Sequence, residues 1–149
     1  MMKITNALLS GAAGAVFLTA VHESVRQFAP TAPRVDILGR RLIRRAFHQT
    51  GNPAPPSGTE YALALTGDLL SNTLYYSLVG LGEPETANVR GQLLGVGAGL
   101  AAITLPEQLN LPEEPVSRHM STKLMTIAWY TLGGMVAGRM AQRFGDDEA

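Results

Sequence analysis

Asp68, Ser71, Asn72 and Tyr75 stand at positions i, i+3, i+4 and i+7, the spacing that sets four side chains on one face of a helix. A carboxylate beside a hydroxyl, a carboxamide and a phenol can relay a proton or hold a small ion. The same groups can also simply hydrogen-bond across a helix interface, at about 0.6 kcal/mol per bond in a membrane. A polar stripe is costly against hydrocarbon, so this one is expected to face the bundle interior or water. Asp68 is its ionisable group, and Glu23 is the candidate extension of a path through Asp68 and Asn72.

A second set of ionisable residues stands at predicted helix ends. His22 and Glu23 close the first apolar stretch, Glu107 follows the third, and His119 precedes the fourth. Two carboxylates and two histidines are the ligand types for iron, manganese or zinc. The Glu-x-x-His pair of carboxylate-bridged metal bundles is missing, however. No HExxH, GxSxG, P-loop or dinucleotide fingerprint occurs either. With no cysteine there is no thiolate ligand, thiol nucleophile or disulfide framework. No catalytic residue, metal or cofactor is therefore assigned. His48 is given no role, and Trp129 with Tyr130 is expected to pack against Tyr75 and Tyr76.

Arg40, Arg41, Arg44 and Arg45 share one arc of a predicted amphipathic helix over 35–47, with Val35, Leu38, Leu42 and Ala46 opposite. Such a helix can lie in the headgroup layer with its arginines on anionic lipid, at about 1 kcal/mol each; the plainer reading is a topology signal alone. The segment 51–58, with three prolines, is a stiff tether to the next helix.

The elements that must position these residues are four charge-poor windows. Residues 4–21, 91–106 and 124–138 contain no formal charge, and 61–82 contains only Asp68. A bilayer crossing needs about 20 apolar residues, with a lower limit near ~17. The first two windows qualify directly, and the others do so as helices over 86–105 and 122–140. Charged residues are 16% of the 149, against roughly 25% in soluble domains. All nine prolines are expected outside the four helices, with Thr59–Glu60, Thr86 and Ser121 or Thr122 at their starts. Mean hydropathy of only +0.09 leaves a soluble four-helix domain as the alternative, but 4–21 and 91–106 lack the charged face it needs. As a signal peptide the first window would be cut after Ala20. Leu18, three residues before that cut, is too large for the small-x-small rule, so the window is read as a retained helix.

Shifting the sequence by 85 lays Leu8-Leu9 on Leu93-Leu94, Ala13-Gly14 on Ala98-Gly99 and Pro30 on Pro115. Shifting it by 54 lays Tyr75-Tyr76-Ser77-Leu78 on Trp129-Tyr130-Thr131-Leu132. The expected fold is therefore all-α: one membrane domain over 1–149, built from two helical hairpins. The first spans 4–82, with a basic insertion at 35–58, and the second spans 86–143. A pseudo-two-fold axis along the membrane normal should relate them. On the 54-residue shift Asp68 falls on Thr122, which would put it near one membrane surface.

Gly91, Gly95 and Gly99 recur every four residues; Ser10 with Gly14, Gly11 with Ala15, and Gly134 with Gly138 repeat the spacing. Small residues so placed let helix backbones approach in lipid, within one chain or between copies. Eight Lys and Arg fall on the 22–60 and 106–121 side, counting Lys123, and four on the other. The positive-inside rule then makes those connections cytoplasmic and both termini external, in a membrane of bacterial inner-membrane type. Balanced charge, 12 basic against 12 acidic, excludes a nucleic-acid partner held by a global positive field. The expected function is a non-catalytic bundle that self-associates or binds a membrane protein or anionic lipid. Proton or small-ion transport and a metal-dependent membrane enzyme are the alternatives.

Overall fold

The computed structural model describes residues 2–111 and 117–146. It is all-helical among those residues: α1 (Ile4–Val25), α2 (Val35–Gln49), α3 (Ser57–Tyr76), α4 (Ala87–Gln108) and α5 (Met120–Asp146). Two short 3-10 turns, Ser77–Gly80 and Pro84–Thr86, join α3 to α4. The helix packs in the order α4, α5, α1, α3, with α2 laid on α3. Between α3 and α4 contact is slight, so the bundle is open along that side.

Glycine sets the closest approaches. A Cβ on Gly91 would collide with the Gly134 carbonyl oxygen, and one on Gly95 would stand 2.5 Å from the Thr131 Cα. At Gly99 it would meet the Ile127 Cα at 2.7 Å, and at Gly138 the Ala87 carbonyl oxygen at 2.7 Å. These glycines join α4 to α5 within the chain. Gly11 rests on Thr73 of α3 and on Ser77 of the 3-10 turn after it, and Gly14 on Gly133 and Ala137 of α5.

Pro106 departs from the expectation that every proline lies between helices, because α4 runs through it to Gln108. Its missing N–H leaves only the Ala102 carbonyl without an intrahelical donor. The helix is still closed by bonds from Leu109 N–H to Leu105 and Leu111 N–H to Pro106. Asn110, at φ 53°, turns the chain away. The expected starts also shift. Thr59 and Glu60 lie inside α3, and Ser121 and Thr122 inside α5. Thr86 does stand at the start of α4, but its hydroxyl donates to the Glu83 carbonyl at 3.1 Å.

Two helical segments, Ile4–Val25 and Pro84–Gln108, are long and apolar enough to cross a membrane. At ~1.5 Å per residue, 22 residues of α1 or α4 reach about 33 Å. The expectation was four. Glu60 and Asp68 in α3, and Lys123, Arg139 and Arg143 in α5, lower the hydropathy of those two.

Candidate functional site

The polar stripe of α3 divides. Asn72 is buried, and its Nδ2 donates at 3.0 Å to both the Asp68 Oδ1 and the Asp68 carbonyl. Ser71 is exposed and donates to the Asp68 carbonyl at 3.1 Å. Tyr75 donates across to the Leu94 carbonyl of α4 at 3.0 Å. Asp68 and Asn72 therefore turn inward, Ser71 faces out, and Tyr75 ties α3 to α4.

Beside Asp68 lies a void of about 20 Å³ lined by Thr19, His22, Glu23, Tyr61 and Asp68, among others. That is the size of one water molecule. His22 is 5% exposed. Its ring lies 5.1 Å from that of Trp129 and 5.8 Å, edge-on, from that of Tyr130. The His22 Nε2 and the Thr19 Oγ1 are buried without a hydrogen-bond partner among the described residues. An ionic network closes over this void. Glu23 accepts from the Tyr61 hydroxyl at 2.6 Å and from Arg26 Nη2 and Nε at 2.6 and 3.0 Å. Arg26 also lies over the Tyr61 ring at 5.7 Å and reaches to 3.6 Å from Asp36.

Asp36, in the first turn of α2, accepts two 2.8 Å hydrogen bonds from Arg34. Burial alone would raise its carboxyl, but the Arg34 hydrogen bonds and the charges of Arg34 and Arg26 outweigh that and hold it below the usual carboxylate range.

The four helix-end ionisable groups are not gathered into one site. His22 packs on α5 and Glu23 joins the ionic network. Glu107 is exposed at the end of α4, and His119 lines a separate cleft with Arg34, Arg41 and Arg118. No group of three or more His, Asp or Glu side chains placed to hold a metal occurs among the described residues. The basic arc of α2 is partly engaged inside the chain. Glu60 of α3 is 2% exposed, with Arg44 Nε 2.6 Å from its Oε1 and Arg40 Nη2 3.6 Å from its Oε2. Arg45 Nη1 donates to the Leu109 carbonyl at 2.6 Å, bridging α2 to the end of α4.

No family model, curated protein or solved structure matches the chain. Geometry alone therefore carries the functional reading.

Between α2, α3 and α4, where the bundle is open, a groove of about 410 Å³ is walled by Leu38, Leu42, Leu63 and Leu105, with Asp68 and Tyr130 among its polar residues. Asp68 thus borders both the small void and this groove. It stands eight residues beyond Glu60 along α3, about 12 Å of helix. Sequence reasoning missed Asp36, Glu60 and Tyr61 as members of charged networks. The one available signal was the placement of Glu60 and Tyr61 just after the proline-rich tether. That tether folds α2 back beside the start of α3.

Proposed function

We propose that this chain is a four-span integral membrane bundle without catalytic activity, which binds anionic lipid on the face carrying α2. Its radial distribution of residues carries the reading. Leu8, Leu9 and Val16 of α1, Leu70 and Leu74 of α3, Leu93, Val96 and Leu100 of α4, and Leu124 and Leu132 of α5 are exposed. The interior holds Ser10, Asn72, Thr122 and Thr126 together with the glycines of α4 and α5. Leu18, Tyr76, Val79 and Trp129 are buried with them, but many large apolar side chains face outward while small and polar ones line the helix contacts. That suits a hydrocarbon solvent, where close packing and interhelical hydrogen bonds hold helices together. In water such exposed apolar area marks an interaction surface.

The two-hairpin reading has its own support. Gly11 of α1 meets Thr73 and Ser77, while Gly99 and Gly95 of α4 meet Ile127 and Thr131, the same partner positions moved by 54, although the 85-position shift lays Gly11 on Val96, between the two glycines. Self-association through the α4 glycines is less favoured, because α5 already covers them.

Single cysteines at Gln49, Ser71, Glu85 and Glu107, labelled in sealed vesicles with a membrane-impermeant maleimide, test the reading. Positions 49 and 107 should react from the cytoplasmic side and 85 from the other, with 71 silent. Free labelling of all four in soluble, detergent-free protein would overturn the membrane reading.

Proton or small-ion transport is the second reading, supported by the water-sized void between His22, Glu23 and Asp68. It expects liposome flux to fall in Asp68→Asn. Equal flux in wild type and variant removes it.

A further inference from the structure

A cleft of about 250 Å³ opens between the loop after α1, the start of α2 and the start of α5. Its wall carries Arg34, Arg41, Arg118 and His119, with Thr31 and Thr122. Among the described residues no carboxylate lines it. Arg34 immediately precedes α2, and Ile37 and Arg41 share one face of that helix four residues apart, so the start of α2 brings both arginines to the cleft. This is not the pair, Arg40 and Arg44, that Glu60 engages.

The donors of the cleft are unevenly satisfied. Arg34 is held bidentately by Asp36, and the Thr122 hydroxyl is given to the Thr31 carbonyl at 2.9 Å. Arg41 Nη1, by contrast, is buried and meets no acceptor among the described residues. A buried guanidinium N–H without an acceptor is unfavourable, and a charged donor in that position is best matched by an anion. Arg118 and His119 add positive or donor character at the start of α5, where the helix dipole also favours negative charge. The planar forks of two arginines suit the several oxygens of a phosphate.

The surroundings choose among phosphate sources. Phe28, two residues before the cleft's Pro30, is 84% exposed, and Met120 and Leu124 are exposed on α5 beside Arg118 and His119. Apolar side chains around a basic cleft are what a headgroup site at the edge of hydrocarbon requires. We propose that this cleft binds the phosphate of an anionic membrane lipid, with Arg41 and Arg118 as its principal donors. The proposal rests on the membrane reading and places the lipid contact at these residues.

The test uses full-length protein in mixed micelles of phosphatidylglycerol and phosphatidylcholine, with native mass spectrometry counting bound lipid. Wild type should retain phosphatidylglycerol in preference, and Arg41→Ala with Arg118→Ala should lower that preference roughly 30-fold. Arg41→Lys with Arg118→Lys keeps the charge and should fall between the two. Arg139→Ala with Arg143→Ala, at the other end of the bundle, should match wild type. Near-ultraviolet circular dichroism from Trp129 reports folding of each variant. Inorganic phosphate should compete only weakly. A folded double-alanine variant that keeps the full preference would overturn the proposal. So would inorganic phosphate binding as tightly as phosphatidylglycerol, which would make the site one for a free anion. Either failure can occur while cysteine labelling still supports membrane insertion, so the two readings fail separately.

Discussion

The Tyr76 hydroxyl donates a 2.7 Å hydrogen bond to the backbone carbonyl of Tyr130, the residue that the 54-position shift lays upon it. Tyr76 is fully buried, and its ring also lies edge-on to Tyr75 at 5.8 Å. The bond is a buried polar link from α3 to α5 across the side of α1. Tyr76→Phe removes the hydroxyl and leaves only a helical carbonyl short of its second donor. The expected loss is about 1 kcal/mol. Thermal unfolding in detergent should show it, with Tyr75→Phe costing less because Tyr75 is only half-buried. Equal costs would mean that burial of the Tyr76 bond does not distinguish it.

Glycine substitutions should separate by place. Alanine at Gly95 pushes a methyl group into the Thr131 Cα and the Tyr130 carbonyl oxygen, both at 2.5 Å, and neither backbone can step aside without parting α4 from α5. Gly95→Ala is expected to destabilise by about 1–3 kcal/mol. At Gly67, in the interior of α3, an added Cβ meets nothing within 4 Å. Gly67→Ala should therefore stabilise, by about 0.5–1 kcal/mol, through helix propensity alone. Opposite signs in the two midpoints are the expected outcome, and a shared sign would refute the packing argument.

Glu60 is almost wholly enclosed, while Arg44 is 56% exposed at its side chain. Solvent screens the arginine end, so Arg44→Ala alone should cost only about 1 kcal/mol, with Arg40 still near the carboxylate. Removing Arg40 and Arg44 together leaves a buried carboxylate uncompensated, and the cost should approach about 3 kcal/mol. Glu60→Gln in that background should recover much of the loss. The stabilities of Arg40→Ala, Arg44→Ala, the double variant and the double variant with Glu60→Gln form the measurement. Simple additivity of the two arginine substitutions would show that they do not share Glu60.

How far the sequence disclosed this arrangement depends on which distances along the chain matter. Charge-free windows located α1 and α4 to within a few residues, since a helix with no charged face is visible locally. Spacing put Asp68, Ser71, Asn72 and Tyr75 on one side of α3, but it did not show that the stripe divides, with Asn72 buried and Ser71 exposed. The end of α4 was not: Pro106 sits where only one carbonyl loses its donor, and the helix tolerates it. The burial of His22 depends on Trp129 and Tyr130, more than a hundred residues away, and no local pattern carries that pairing. Glu60 shows the same limit. As a first-turn residue it reads as part of a cap, and only the fold-back of α2 makes it the partner of Arg40 and Arg44.

Asp36 provides the pH-dependent element of the α1–α2 junction. Arg34 and Arg26 hold its carboxyl below the usual value of ~4. Protons therefore bind it less readily in the folded chain than in the unfolded one. Its contribution is fully present above about pH 4 and is lost as pH falls through the lowered folded value. Acidification from neutral to that range should loosen the junction, and Asp36→Asn should remove this part of the dependence. Asn cannot carry the charge that Arg34 and Arg26 answer, so the variant should be less stable than wild type at neutral pH and should converge with it in acid. Hydrogen exchange of the amides from Arg34 to Leu38, followed across that pH range in both proteins, provides the check. Parallel pH curves for the two would show that Asp36 does not govern the junction.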